Sequence, residues 1–405
     1  MSASSGPQSN RKNPADKPPA LQERTTVLHI TDTLDLDAQS REVVDLAIQT
    51  HRSGWRPLVA SAGGALVLEA ERAAVRHTRL PIGTKSFFKA WRNRKKLEAL
   101  IEKEKPVLIH VHGYEGLATA LKLSLKKNLP LLVDLTEPSP ITTQRRKVLQ
   151  NAANHGARFR VPTDYMAHHL CKDLGLQTQY LYRVAPGIDL QWFEAVRVTP
   201  ERINKLQQSW RLPEQSIVLV MATPLATGFG HYALLEALTA FKNTDLYAVL
   251  IGDDKTSPGM RAKIEKMVVD MGLEGRIIMP ETCTDWPAAC WLASVVTAVN
   301  VMPRGQAPEL LAAQAIGRPV IVTDCGANAE LVKKNETAWV IPQDDKNALI
   351  TALQEALGMA SARRVDLAIK TRDFVTETFP MELWRDSMFG LYDSMLAAPS
   401  LAVAA

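Results

Sequence analysis

The sequence is short of the residues that mark a secreted, metal-clamped or membrane-spanning chain. It has four cysteines in 405 residues, and Cys283 and Cys290 have six residues between them, which is not the spacing of a tight metal-ligand pair. No apolar run reaches the ~18 residues that cross a bilayer. Residues 1–24 consist mainly of small, polar and charged residues and contain no apolar core of a signal peptide. These absences predict reduced thiols and a cytoplasmic location.

Strong positive charge is also missing. The net charge of +5 is small for this length, and aromatic residues make up 6% of the chain. We therefore predict no nucleic-acid partner. The chain is rich in apolar residues, at 46%, which is enough for two domains that each have a hydrophobic core.

Short apolar runs alternate with helical patterns, and the alternation occurs twice. The first half predicts strands at 27–30, 57–60, 106–112 and 129–135 and helices at 40–53, 92–105 and 117–127. The second half predicts strands at 216–221, 245–251, 276–279, 295–299 and 319–323 and helices at 231–242, 258–271, 286–293 and 308–316. This alternation is typical of parallel, doubly wound sheets.

The pattern predicts an α/β protein in which two Rossmann-like domains face a cleft. Ligands of such sheets bind at the carboxyl ends of the strands. A last helical stretch over 365–396 is long enough to cross back to the first domain. We predict a disordered tail at 1–24, an N-terminal domain at 25–190, a C-terminal domain at 191–375 and a returning helix at 376–405.

Several motifs follow one another in a characteristic order. They are HVHG at 110–113, APGID at 185–189, LIGDD at 250–254 and AQAIGRPVI at 313–321. Their order and spacing resemble the family 4 glycosyltransferases, over about residues 27–345. The chain looks most like bacterial members that build lipopolysaccharide core and other envelope glycans. The resemblance implies the GT-B fold, a nucleotide-sugar donor, a glycan or lipid-linked acceptor, and no metal or other cofactor.

The resemblance also shows where this chain departs from the family at the site of the donor diphosphate sugar. Family members have a Gly-Gly turn after the first strand, an Arg and a Lys in the second domain, and two glutamates eight positions apart. The corresponding positions here hold Asp37 and Ala38, Pro224 and Phe229, and Arg304 and Ala312.

These departures change the chemistry of the predicted site. An aspartate at position 37 repels a diphosphate. Neither Pro224 nor Phe229 can stabilise the charge that grows on a leaving diphosphate. Position 304 lacks the carboxylate that the family has there. Its arginine instead offers a planar guanidinium that can bind a phosphate or a carboxylate.

Three residues near the predicted site have both a functional and a structural interpretation. His112 matches a family histidine near the acceptor hydroxyl and is a catalytic candidate, or it is structural. Glu309 reaches the cleft as a second catalytic candidate, or it is a first-turn glutamate favoured by the helix dipole. Glu330 matches a donor-site position, or it is a surface residue at the start of a helix.

Four further residues complete the predicted donor site. Gly252 and Gly317 shape turns beside the donor. Glu281 and Asp285 match the ends of the loop that borders the nucleotide base. As with the other positions, these roles are what the resemblance implies.

The basic, aromatic segment at 85–96 contains six cations and three aromatic residues. Such a segment binds an anionic membrane surface, each cation adding up to about 1 kcal/mol. Alternatively, it is a helix that buries Phe88 and Trp91 and leaves its charges in water. The first interpretation predicts peripheral contact with the inner face of the plasma membrane.

Two functions follow from the resemblance. One is a pseudoenzyme with lost or strongly reduced activity, which acts as a binding or regulatory partner, for example of an active homologous glycosyltransferase. The other is an active retaining enzyme that moves a sugar from a nucleotide-sugar donor to a glycan or lipid-linked acceptor. The fold, the cleft and His112 support the active enzyme, whereas the changed residues at the donor positions favour the pseudoenzyme.

Overall fold

The structure is a computed structural model that describes residues 25–84, 86–138 and 142–397. The predicted tail at 1–24 lies outside the described residues, as does Lys85. In the described part of the first domain, seven parallel strands form one sheet with the order β3-β2-β1-β4-β5-β6-β7. They are β1 (Thr26–Ile30), β2 (Arg56–Ser61), β3 (Arg76–Arg79), β4 (Leu108–His112), β5 (Leu131–Asp134), β6 (Arg158–Val161) and β7 (Leu181–Arg183).

Helices cover both faces of this sheet. They are α1 (Ala38–Arg52), α2 (Val67–Arg72), α3 (Phe87–Glu104), α4 (Leu117–Lys127), α5 (Thr143–Asn154) and α6 (Asp164–Lys172). Because helices shield both sides, β1 and β4 are buried along their whole length. α3 begins five residues earlier than predicted, since Ser86 caps it by accepting a hydrogen bond from the Lys89 amide.

The second domain repeats the architecture with six parallel strands in the order β10-β9-β8-β11-β12-β13. They are β8 (Ile217–Ala222), β9 (Leu246–Ile251), β10 (Ile277–Ile278), β11 (Val295–Ala298), β12 (Val320–Thr323) and β13 (Ala338–Ile341). Its helices are α7 (Pro200–Ser209), α8 (His231–Leu238), α9 (Met260–Asp270), α10 (Trp286–Leu292), α11 (Pro308–Ala315), α12 (Lys346–Leu357) and α13 (Ser361–Thr378). The prediction of two doubly wound domains is confirmed.

The last helical stretch is two helices, so the prediction of one helix over 365–396 is wrong. α13 ends at Thr378 and α14 (Met381–Ala397) begins after Pro380, which lacks an amide proton and cannot continue a helix. The break pairs with the interdomain linker, where Ile188 donates to the Phe379 carbonyl at 2.9 Å and accepts from the Met381 amide at 3.1 Å.

This break determines where each helix packs. α13 belongs to the second domain, and its Phe374 and Val375 enter that domain's core. α14 lies on the first sheet, where Trp384 and Met388 pack with Val27 and other strand residues. The predicted crossing back to the first domain is therefore confirmed. No helix in the described residues is both long and apolar enough to cross a membrane.

Candidate functional site

The carboxyl ends of β1, β4 and β5 open into a cavity of 320 Å³. All of its described lining residues belong to the first domain, and none of them is Lys or Arg. Four of the lining residues are acidic: Asp32, Asp37, Glu115 and Glu137. Arg145 approaches Glu115 at 3.8 Å, but both side chains are partly exposed there. The cavity is therefore electronegative and disfavours an anionic ligand.

Asp37 occupies the N-terminus of α1. Its carboxylate accepts a hydrogen bond from the Ser40 amide at 2.9 Å and another from the Ser40 hydroxyl at 2.7 Å. A helix N-terminus is a ready site for a phosphate, because free amides and the helix dipole favour negative charge. Here the chain's own carboxylate fills that role. Ala38, the other departure in this loop, is simply the first residue of α1.

His112 is buried at 3% exposure, at the inner wall of the cavity. Its Nε2 lies 3.1 Å from Nδ1 of His29, and its Nδ1 lies 3.5 Å from a carboxylate oxygen of Asp134. Both ring nitrogens therefore face the protein interior. The predicted contact with an acceptor hydroxyl stays a prediction, and it requires the ring to leave these two partners.

Behind His112 lies a buried polar cluster that the sequence did not predict. Arg160 is fully buried and donates to the Val184 carbonyl at 3.0 Å, to Glu42 at 2.5 Å and to Asp134 at 3.3 Å. On β4, the strand that also carries His112, His110 Nδ1 lies 2.8 Å from the Tyr392 hydroxyl of α14. The cluster ties α1, the sheet and α14 together.

Burial and charge shift the acid–base properties of this cluster. Burial lowers the pKa of His110 to about 3 and that of His29 well below its usual range, so both imidazoles are neutral. Burial acts to raise the pKa of Asp134, but the Arg160 charge and the two nearby histidines, His110 and His112, outweigh it and hold that pKa well below the usual range. For Glu42, burial prevails over Arg160, and its pKa is raised.

In the second domain, Arg304 forms a buried ion pair with Glu309, and their side chains are 10% and 5% exposed. The guanidinium also lies 5.7 Å from the centroid of the Phe229 ring. The interpretation of Glu309 as a residue that only complements the helix dipole is therefore incomplete. The guanidinium of Arg304 does bind a carboxylate, but this carboxylate belongs to Glu309 of the same chain.

The loop after Arg304 presses on the first domain. The Gly305 amide donates to Glu137 at 2.9 Å, and the Gly305 carbonyl accepts from the Thr163 hydroxyl at 3.0 Å. A Cβ at position 305 would lie 2.1 Å from the Thr136 carbonyl oxygen, so only glycine fits. The cleft between the domains is closed at this point.

Glu330 forms a second bridge between the domains. Its two carboxylate oxygens accept from the Asp164 and Tyr165 amides, at 2.7 Å each. These are the first two residues of α6, so a residue of one domain caps a helix of the other. The interpretation of Glu330 as a surface residue at the start of a helix is incomplete, because it lies in the first turn of a short helix and also bonds to the other domain.

The other predicted donor residues either have a structural role or lie at the surface. Asp285 caps α10 and forms two hydrogen bonds to Arg202, at 2.6 and 2.8 Å. A Cβ at Gly252 would lie 2.2 Å from the Thr223 carbonyl oxygen, and Gly317 has φ +81°. Glu281 is exposed in its loop. Of the departures, Pro224 is exposed and Ala312 is buried in α11. The donor roles predicted for Gly252, Glu281, Asp285 and Gly317 stay predictions.

The residues that sequence reasoning missed are His29, Asp134, Arg160 and Glu137. A signal was present, because the first three are polar residues within short strand patterns, and they lie on one face of the sheet. The sequence alone does not show that these strands lie side by side. Glu137 gave no signal, since its partner Gly305 is 168 residues away in the chain.

α3 carries the exposed aromatic residues of the basic segment. Phe88 is 69% exposed and Trp91 41% exposed, and their stacked rings are 6.2 Å apart. Lys95 Nζ lies 4.2 Å from the centroid of the Trp91 ring. Leu97 and Ile101 form the buried face of this helix. The alternative in which Phe88 and Trp91 are buried is therefore wrong.

Two family models match the chain. Residues 39–192 match the model described as Glycosyltransferase Family 4, and residues 216–358 match the one described as Glycosyl transferases group 1. Among curated proteins, a D-inositol 3-phosphate glycosyltransferase of Jonesia denitrificans is 26% identical over 243 residues. The matched region is 57% of this chain and 54% of that protein, so the chain spans about half the length of this relative.

Solved structures share the fold at low sequence identity. Anabaena HepE in complex with UDP and glucose has a TM-score of 0.81 at 17% identity, over 92% of this chain and all of that one. WaaG, a glycosyltransferase of lipopolysaccharide biosynthesis, has a TM-score of 0.71 at 13% identity, over 92% and 100% of the two chains. The predicted GT-B fold is confirmed. The chain belongs to glycosyltransferase family 4.

Glu137 gives the interdomain contact a pH dependence. Burial raises its pKa to about 7, against the charge of Arg304 and the hydrogen bond from Gly305. The folded protein therefore holds a proton that the unfolded chain has already released. The stability from this proton is complete below the unfolded pKa and is lost as pH rises through about 7.

We expect Glu137→Gln to remove this loss, because glutamine still accepts from Gly305 and stays neutral. The difference in Tm, variant minus wild type, should increase from about pH 5 to about pH 8.5, equivalent to about 1–2 kcal/mol. Calorimetric unfolding at matched ionic strength measures it. A difference that is flat over this range would contradict the prediction.

Proposed function

We propose that this chain is a family 4 glycosyltransferase-like protein with lost or strongly reduced transfer activity, which acts as a binding or regulatory partner. The observation that carries this proposal is that the groups at the donor positions bond to the protein itself. Asp37 caps α1, Arg304 pairs with Glu309, and Glu330 caps α6 of the other domain.

The protein's own side chains compete with a nucleotide sugar for the groups that would bind its diphosphate. A nucleotide sugar needs free amides and free cations for its diphosphate, because these groups stabilise the charge of the leaving group. At α1 the competing Asp37 carboxylate is covalently attached, and the cavity beside it has no lysine or arginine among its described lining residues. In the second domain, releasing Arg304 would leave Glu309 buried without its partner.

The proposed setting is bacterial cell-envelope glycan or lipopolysaccharide biosynthesis, with an active homologous glycosyltransferase as the partner. The motif order and the fold shared with WaaG support this setting. The chain keeps the shape of the family, but side chains of the protein itself occupy its donor positions. Such a scaffold is suited to recognising the partner or its acceptor rather than to transferring a sugar.

Titration of the wild-type chain with UDP, GDP, ADP and their sugars, by calorimetry, tests the proposal. We expect no saturable binding at millimolar ligand and no donor hydrolysis. The control variant Asp37→Asn keeps the helix cap but removes one charge. Micromolar binding or slow donor hydrolysis by the wild-type chain would overturn the proposal. Binding by Asp37→Asn alone would support exclusion of the diphosphate by the Asp37 charge.

The alternative is an active retaining glycosyltransferase that uses a nucleotide sugar and a glycan or lipid-linked acceptor. The fold shared with HepE, which was solved with UDP and glucose, favours it. In that case the donor binds after the contacts of Gly305 and Glu330 have opened. The titration above separates the two functions.

We further propose that α3 binds the anionic inner face of the plasma membrane from the cytoplasm. Exposed Phe88 and Trp91 lie on a helix that also carries cations, which is the combination that lets a helix lie in a membrane interface. Transfer of an exposed apolar side chain from water into a bilayer is favourable, because it removes apolar surface from water.

Sedimentation with liposomes measures this contact. We expect the wild-type chain to pellet with anionic vesicles and to be released by high salt, and Phe88→Ser/Trp91→Ser to reduce the bound fraction at least about 10-fold. Val365→Ser/Ile369→Ser removes two exposed apolar residues of α13, at 61% and 57% exposure, and is the matched control. Equal recovery in the supernatant with anionic and neutral lipid would refute the proposal.

A further inference from the structure

Three imidazoles meet in the interior of the first sheet. His29 of β1 lies directly opposite His110 of β4 in the parallel register, and His112 follows two residues later on the same face. All three are buried, at 0%, 0% and 3% exposure. The His-x-His spacing on a strand turns both rings to one side, and the neighbouring strand supplies the third.

Their nitrogens have the spacing of metal ligands. His29 Nδ1 and His112 Nε2 are 3.1 Å apart, and one ligating atom of each histidine lies within 4.8 Å of the others. Two imidazole nitrogens bound to one tetrahedral zinc ion at about 2.0–2.1 Å are about 3.3 Å apart. His29 and His112 already satisfy this spacing, and His110 has a ligand atom within 4.8 Å of both, so its ring has to move closer to complete the site.

The hydrogen bonds that these rings make to other residues leave one nitrogen of His110 available as a metal ligand. His110 Nδ1 is engaged by the Tyr392 hydroxyl, while its Nε2 has no hydrogen-bond partner in the described residues and lies 3.6 Å from Asp134. His29 Nε2 likewise has no hydrogen-bond partner there. Fully buried nitrogens without partners are costly, and one of them is positioned to bind a cation.

The surroundings are those of a metal site. Asp134 faces His112 Nδ1 at 3.5 Å and Tyr392 faces His110 Nδ1 at 2.8 Å, which fixes which nitrogen of each ring points inward. The charged groups beside the rings are two carboxylates, Asp134 and Glu42, against one cation, Arg160.

A cation also has a route to the cluster. His112 forms part of the wall of the 320 Å³ cavity, whose described lining includes four carboxylates and no lysine or arginine. An acidic cavity of this kind raises the local concentration of cations. We propose that His29, His110 and His112 bind a divalent transition-metal ion of the zinc type, which enters through the acidic cavity.

This inference does not depend on the proposed function. The family resemblance implies that sugar transfer needs no metal. The ion proposed here would instead bind inside the first sheet, between β1 and β4. Imidazole is a ligand for Zn²⁺, Cu²⁺ and Ni²⁺, so geometry and supply would select the ion. A bound ion would hold β1 and β4 together beneath α14.

Metal titration of the full chain tests the proposal. After treatment with a chelator, the protein is titrated with Zn²⁺ by calorimetry. We expect one ion per chain, and an affinity at least about 100-fold weaker in His29→Phe, which keeps the ring volume and removes the ligand atom. His168→Asn removes an exposed histidine and should leave the affinity unchanged. Equal affinity in wild type and His29→Phe would overturn the proposal.

Cobalt substitution gives a readout that does not depend on a folded variant. Co²⁺ bound by three buried imidazoles in a tetrahedral site should give strong visible absorption, which Zn²⁺ then abolishes by displacement. A weak spectrum of octahedral, water-rich Co²⁺ in the wild-type chain would also overturn the proposal, whether or not His29→Phe folds.

Discussion

Replacing Arg160 by methionine should lower the free energy of unfolding by about 3–5 kcal/mol. Arg160 is fully buried and compensates the carboxylates of Glu42 and Asp134, besides donating to the Val184 carbonyl. Methionine fills similar space but leaves two buried acids without their cation. Urea unfolding followed by circular dichroism measures the change.

The same strand offers a matched control. Arg158, two residues earlier on β6, lies over the Tyr182 ring at 5.0 Å and donates to the Ser394 hydroxyl at the surface. Arg158→Met should change the free energy by less than about 1 kcal/mol, as is usual for surface substitutions. Equal losses from the two variants would show that the buried cluster is not held by Arg160.

Arg304→Met is expected to have the second large effect, about 3–5 kcal/mol, because it leaves Glu309 buried without a partner. The double variant Arg304→Met/Glu309→Leu removes both charges and should regain most of this loss. A double-mutant cycle therefore gives a coupling energy of several kcal/mol, far above the roughly 1 kcal/mol of an exposed pair.

An exposed arginine–glutamate pair supplies the control cycle. Arg197 and Glu194 lie 3.1 Å apart with side chains 58% and 43% exposed. Their coupling should be at most about 1 kcal/mol. If Arg304 and Glu309 coupled no more strongly than this surface pair, Arg304 would be free to turn toward a ligand, and the argument for self-occupied donor positions would fail.

The fold was predictable because its signals are local. The apolar runs that became β1, β4, β8 and β12 are separated by amphipathic helices, and a doubly wound sheet follows from this order. The long helix at the end was predicted wrongly at Pro380. A proline inside a helical pattern marks the boundary, and the pairing of Ile188 with this break fixed it.

The site was predictable only in part. The positions Asp37, Arg304 and Ala312 were visible as departures, since they are defined by their spacing from motifs. What their side chains do was not visible. The sequence left Glu309 as a cleft residue or a dipole-favoured one, and the structure makes it the partner of Arg304 in a buried pair.

By itself the sequence determined the two α/β domains, the family and the positions at which this chain departs from the family's donor-site residues. Each depends on residues close together in the chain, where periodicity and spacing carry the information. Only the tertiary structure decided that Glu330 caps α6, that Glu137 receives the Gly305 amide, and that three histidines converge. These contacts join distant segments, and folding, rather than local pattern, brings them together.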